Sequence, residues 1–298
     1  MKKIASIAPV ATLALLTLMA CSRVEPDGPD TDLPLVIEAG IGEPTRATVL
    51  GNLEKFDEGD QIALYVWTGG DKNEPAGFVV EGVVNTLQSD NSWTPATKMY
   101  WKDATTTHYF LSVFPARSIS NFKADSFTLD PADYEASDLL VATGLNGLVA
   151  SNVPVKLNFK HMMAKLQLNL SYSNEWDIAP TGTTASATAA TSCTVDYMAG
   201  SVVPGEPGTV ALAKLSQAAA GSAESYSAIL IPQSNFRTVT MVVGGKTYVY
   251  THPADIALRS GKTTVLNLTV GRDRLELASD ISILDWTTGP TVNGDALE

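Results

Sequence analysis

The run VPVKLNFKHMMAKLQLNL, Val153 to Leu170, changes phase halfway along, and that change decides how the chain folds. Its apolar residues hold odd positions at Val153, Val155, Leu157 and Phe159, then even positions at Met162, Ala164, Leu166, Leu168 and Leu170. Side chains alternate between the two faces of a strand, so the apolar face cannot move from odd to even positions within one regular strand. A bulge or a strand end is expected near His161.

Period two extends over most of the chain from residue 33 onward. In QIALYVW, Ile62, Leu64 and Val66 face one way, and Tyr65 and Trp67 the other. In HYFLSVFP, Tyr109, Leu111 and Val113 oppose Phe110, Ser112 and Phe114. YSAILIP (226–232), TTVLNLTV (263–270) and DISILDW (280–286) read as further strands. TVTMVV and KTYVY are joined by Gly244-Gly245, a hairpin signal because primed turns need positive φ. Long helical spacing is missing, although TVALAKLSQAAAG (209–221) is expected to hold a helical turn or two. The class is all-β. SNEWDIAPTGTTASATAATSC (173–193) is poor in large apolar residues, so it is the expected interdomain boundary. It divides the body into 47–172 and 173–298, each the size of a seven-stranded sandwich. A cut just before Val153 is the competing choice.

The N-terminus is built for export. Lys2 and Lys3 precede the uncharged apolar segment Ile4 to Ala20, which at its length and with Pro9 inside is short for a membrane span. Leu18-Met19-Ala20-Cys21 resembles a bacterial lipobox, in which the signal is removed between Ala20 and Cys21 and the cysteine is acylated. Residues 21–32, rich in Pro, Gly and Asp after the cysteine, form the expected tether. Losing Lys2 and Lys3 with residues 1–20 takes the net charge from −12 to −14, a poor match to nucleic acid or anionic headgroups. Only Cys193 remains besides a lipidated Cys21, so no intramolecular disulfide and no cysteine-ligated metal is expected, and Cys193 reads as a small hydrophobe.

Catalytic and cofactor signatures are absent from the sequence. His108, His161 and His252 are its three histidines, and no HExxH, GxSxG or His/Cys ligand spacing occurs. Its carboxylates are scattered through turns, and FTLDPADYEASD lacks the regular spacing of a calcium loop. His161 reads as a hydrogen-bonded structural residue, and Trp93, Tyr100, Trp101, Tyr109 and Phe110 as core packing. No enzyme activity, metal or cofactor is expected.

FDEGDQIALYVW, W-x-P at Trp93, MYW at Met99 to Trp101, HYFLSVFP, DLLVA, VKLNFKHMMAKLQLNL, ILIPQ, GKTTVLNLTV and the terminal SILDW together resemble the fimbrillin-like (Mfa-like) lipoproteins, subunits of type V pili in anaerobic Gram-negative bacteria. The resemblance runs from about residue 46 to the end of the chain. It implies two tandem transthyretin-like, Greek-key β-sandwiches, delivered to the outer membrane as a palmitate-bearing precursor and then built into a surface fimbrium. In polymerising members an arginine-specific protease cuts between the first strand and the first domain, and the matching position here is Arg46, with Ala47 the new N-terminus. The other subunits, of the same or another kind, would be partners, as would host or bacterial surface ligands.

The physical logic of removal stands beside that likeness. LPLVIEAGI places Leu33, Leu35, Ile37, Ala39 and Ile41 on one face, so residues 33–46 can supply a strand that fills a groove and is then excised. Four or five such side chains would contribute on the order of 10 kcal/mol before entropic costs. The family's donor strand is C-terminal, which points to Ile281, Ile283 and Trp286, although the final NGDALE is polar. The alternatives are an uncleaved anchoring subunit and a surface lipoprotein that binds glycans through exposed aromatics.

Overall fold

A computed structural model describes residues 33–42, 55–69, 71–130, 132–143 and 147–286. The first half supplies β1 (Ile37–Ile41), β2 (Gln61–Trp67), β3 (Phe78–Leu87), β4 (Trp93–Pro95), β5 (Tyr109–Phe114), β6 (Asp125–Thr128), β7 (Leu140–Ala142) and β8 (Val155–His161). All but β6 form a seven-stranded sheet in the order β1-β8-β7-β5-β2-β3-β4. The second half continues with β9 (Ala164–Tyr172), β10 (Thr184–Ala190), β11 (Ser192–Asp196), β12 (Ser201–Pro204), β13 (Pro207–Lys214), β14 (Glu224–Leu230), β15 (Gln233–Val243), β16 (Lys246–Leu258), β17 (Lys262–Val270), β18 (Leu275–Leu277) and β19 (Ser282–Asp285). Nine of these make a sheet in the order β16-β15-β10-β13-β14-β9-β17-β18, with β19 also on β17. A small sheet, β12-β11-β6, takes one strand from the first half and two from the second. The result is an all-β chain with two nearly closed, barrel-like sandwich domains.

The phase change is a strand end. β8 finishes at His161 in the first sheet and β9 starts at Ala164 in the second, so the two apolar registers belong to different sheets. The chain passes from the seven-stranded to the nine-stranded sheet there, whereas the Thr/Ala/Ser-rich part of residues 173–193 supplies β10, an inner strand of the nine-stranded sheet, before β11 begins at Ser192 in the small sheet. The segment 209–221 contains no helix. Its first residues belong to β13, where Val210 and Leu212 alternate inward, and this two-residue period overrides its alanine content. The β15–β16 hairpin turns on Gly244 (φ 58°) and Gly245 (φ 82°), both in the left-handed region that a primed turn demands.

Two apolar clusters explain why the strand QIALYVW is buried from Ile62 to Trp67. Ile62, Leu64 and Val66 point into the curl of the first sheet, toward Leu157 and Phe159. Phe56 plugs that curl, edge-on to Trp93, Phe114 and Phe159 at 5.2–5.4 Å between ring centroids. Tyr65 and Trp67 point the other way, into a cluster shared with the nine-stranded sheet. Cys193 lies in that cluster, 4% exposed, and burial pushes its thiol up to about 12. A polar contact also joins the halves: Tyr197 donates to Asp125 at 2.7 Å, and Arg117, from the same half as Asp125, pairs with that carboxylate at 3.2 Å.

His108 gives the first sheet a pH dependence. Fully buried, its Nε2 accepts the Lys102 N–H at 3.0 Å, so the proton sits on Nδ1 and is donated to the Thr106 carbonyl at 2.9 Å. Burial holds its pKa below the ordinary 6.5, outweighing the raising effect of the Thr106 bond. The unfolded chain then binds the proton more readily, so this stabilisation is present above 6.5 and is lost as pH falls through the lower folded value. Thermal melts at pH 7 and pH 5 are expected to show the loss, and His108→Gln, which keeps an acceptor for Lys102, is expected to flatten it.

Candidate functional site

The segment that closes the first barrel is the one the sequence marks as removable. Leu35 and Ile37 are 3% and 4% exposed, and Leu33, Ala39 and Ile41 are half-buried, whereas Val36, Glu38 and Gly40 face outward. β1 runs parallel to β8, with Ile37 beside Val155 and Ile41 beside Phe159. The ladder is anchored by Val155 N–H to Val36 O at 2.8 Å and by Gly42 N–H to Phe159 O at 2.9 Å. Because parallel neighbours would ordinarily need a crossover connection, this pairing joins strands far apart in sequence.

On its other side the segment clips to residues 99–101, which follow β4, the strand at the opposite edge of the same sheet. Leu35 N–H bonds Met99 O at 2.9 Å and Trp101 N–H bonds Leu33 O at 3.1 Å, around the bridge between Pro34 and Tyr100. Continuing that antiparallel register would set Ala39 opposite Pro95, which has no N–H to donate. The strands part there, leaving a cleft of about 460 Å³ lined by Leu35, Val36, Ile37, Trp93, Pro95 and Tyr100 among others. Since Val36 O faces β8, alternation turns the backbone groups of Ile37, Ala39 and Ile41 away from β8 and toward this seam. Sequence periodicity finds the buried face of residues 33–41 but not its partners, β8 and residues 99–101.

The C-terminal residues divide into two kinds. β19 is an edge strand antiparallel to β17, and its Ile283 and Leu284 are 42% and 46% exposed. Ile281 packs partly against the core, while Trp286 is 3% exposed. The indole lies flat on the His161 ring, centroids 4.0 Å apart and planes 7° apart, with the Lys165 ammonium 5.6 Å from it. His161 Nδ1 is 2.9 Å from Asp138, and Trp286 N–H bonds Gly261 O at 3.1 Å. Thus His161 is the hydrogen-bonded residue expected at the phase change, with Asp138 and Trp286 as partners that periodicity does not reveal.

Ala20, Cys21, Arg46 and Ala47, the expected signal, lipidation and protease positions, lie outside the described residues. Among the described residues no group of three or more His, Cys, Asp or Glu side chains is placed to hold a metal ion. Two of the carboxylates of FTLDPADYEASD instead cap turns: Asp130 accepts from Ala132 N–H, and Asp133 from Glu135 and Ala136 N–H. Trp93, Trp101 and Phe110 are buried and Tyr109 is half-buried, so of the five aromatics weighed as a sugar platform only Tyr100 is exposed, at 37%. No helix among the described residues is long and apolar enough to cross a membrane.

Comparison with known proteins gives a family and a fold. A family model described as fimbrillin-like matches residues 45–286. The structure is similar to that of a candidate cell-adhesion protein from Bacteroides uniformis, with TM-score 0.64 and 18% identity over 86% of this chain and 99% of that one. It is similar to another from Bacteroides ovatus, with TM-score 0.63 and 17% identity over 85% and 97%. A fimbrial protein from Bacteroides vulgatus aligns with TM-score 0.50 and 12% identity over 84% and 99%. None of the curated proteins matches. With the family model covering residues 45–286, the chain belongs to the fimbrillin-like family.

Proposed function

We propose that the chain is a structural, non-catalytic subunit of a cell-surface pilus that supports adhesion. It is exported as a lipoprotein acylated on Cys21, cut after Arg46, and polymerised when another subunit's strand takes the place of residues 33–41. Family membership and the likeness to proteins described as fimbrial or adhesive support the structural role. Under this reading the two barrel-like domains are transthyretin-like sandwiches divided near the sheet change.

The observation that carries the mechanism is the placement of β1. It is an edge strand whose buried Leu35 and Ile37 complete a barrel, and Arg46 follows it in sequence, ahead of β2. Its removal would bare the β8 edge, a template for a new strand. A contact of this head-to-tail kind generates open fibres.

Digestion of the precursor with an arginine-specific protease, followed by N-terminal sequencing, is expected to give Ala47, and Arg46→Ala is expected to abolish that product. Cleavage elsewhere, or persistence of the intact chain, contradicts the reading. In an anchoring subunit the strand would stay, and mass spectrometry of surface material would find residues 21–46 still attached.

A further inference from the structure

Five of the exposed large hydrophobic side chains gather at one end of the first barrel. Val36 is 53% exposed, Tyr100 37%, Leu148 37%, Val149 54% and Val153 67%. The bridges Pro34–Tyr100 and His108–Leu148 and the bond from Val155 N–H to Val36 O place them round the rim where the first strand enters. From Gly147 to Val153 the rim loop, GLVASNV, has no charged residue. Exposed Lys98, Lys102 and Lys156 stand beside it, with Glu38 in register with Lys156 and Asp103 next to Lys102, so the fringe carries both signs on a chain of net charge −12.

We infer that this end rests on a phospholipid surface while the chain is tethered. The inference depends on the reading of Cys21 as the acylated residue, and the length of chain before the fold supplies its geometry. Residues 22–32 separate Cys21 from Leu33. A linker of that length has a root-mean-square reach of roughly 20 Å and spans at most about 40 Å fully extended. Since the fold is entered at Leu33, a tether of this length keeps the Leu33 end within about 40 Å of the bilayer, and that is the end carrying the apolar rim. The chemistry suits a lipid interface: aliphatic side chains enter the headgroup–acyl boundary, a tyrosine ring sits with its hydroxyl in the wet layer, and lysines meet phosphate groups. Peripheral contact of this kind is weak alone and becomes effective when the tether raises the local concentration. Excision of residues 21–46 would remove the tether and Val36 together, so the maturation cut would also release this face from the membrane.

The test uses the chain from Cys21 to Glu298, coupled through Cys21 to maleimide lipid in zwitterionic phosphatidylcholine vesicles, so that it depends neither on acylation in the cell nor on attraction between a chain of net charge −14 and anionic headgroups. Cys193 is buried and its thiol protonated, which directs coupling to Cys21. Amide hydrogen exchange in residues 147–153 is expected to slow at least threefold on vesicles relative to the uncoupled chain. Val149→Ser with Val153→Ser, both at exposed positions, is expected to abolish that slowing without changing the melting temperature. Exchange at 147–153 that does not respond to vesicles overturns the inference, as does equal slowing of the uncoupled chain with rising protein concentration, which would mark the rim as a contact between copies. Absence of acyl groups on Cys21 in cell envelopes would instead overturn the lipoprotein reading.

Discussion

A chain that begins at Ala47 is expected to self-associate and to melt on the order of 10 °C below the precursor, and a peptide of residues 33–42 added in trans is expected to restore a monomer. The magnitude comes from two side chains. Leu35 and Ile37 are buried and contribute about 1.5–3 kcal/mol each, roughly 3–6 kcal/mol together. This is less than the on the order of 10 kcal/mol that five buried residues would give, because Leu33, Ala39 and Ile41 are half-buried. Against a typical domain stability of about 5–15 kcal/mol the loss is large, and at about 2–4 °C per kcal/mol it is readily measured. Removal also uncovers Val155, Leu157 and Phe159 and frees the β8 edge, so the exposed surface is both apolar and short of hydrogen-bond partners. Light scattering coupled to size exclusion, with and without the peptide, reads the first effect, and a thermal melt reads the second. A monomer of unchanged melting temperature would mean that the strand is not part of the barrel.

Trp286→Ala is expected to cost about 3–5 kcal/mol, the range for truncating a buried tryptophan. Its ring is 3% exposed and stacked on His161, so the substitution leaves a cavity where the last described strand meets the junction of the two sheets. Ile283→Ser in the adjoining β19, where the side chain is 42% exposed, is expected to stay within about 0.5 kcal/mol. Exchange at Ser282–Asp285 should quicken in the tryptophan variant ahead of β17 and its other neighbours, since β19 is an edge strand paired on one side only and loses the packing of the stack at its end. Equal costs for the two substitutions would mean that the stack does not hold the strand. If the C-terminal segment serves as a donor, Trp286 must first leave this site, whereas Ile283 and Leu284 are already outward.

Local alternation made much of this fold legible. The odd-to-even switch around His161 separates two strands because a pleated backbone has no other way to express it, and Gly244-Gly245 marks a hairpin because few other residue pairs take that backbone shape. The buried face of residues 33–41 was visible for the same reason. What periodicity does not carry is the identity of distant neighbours. The parallel pairing of β1 with β8, the clip from Leu33 and Leu35 to Met99 and Trp101, and the three-stranded sheet joining β6 to β11 are choices among edges that look alike along the sequence. Residues 209–221 misled because alanines favour helix locally, whereas cross-strand packing of Val210 and Leu212 decides the matter. The Trp286–His161 stack was hidden because neither residue's role is defined until the end of β8 meets the end of β19.

On maturation the β8 edge is expected to change partner, from the chain's own residues 33–41 in the precursor to another chain in the fibre. A photo-crosslinking amino acid at Lys156, an exposed β8 position in register with Glu38, tests it most directly. In the precursor the crosslink is expected within the same chain, to residues 36–40. In assembled fibres it is expected to join two chains and to produce a ladder of dimers and higher multimers on a denaturing gel. A crosslink that remains within one chain and on residues 36–40 after assembly would contradict the account.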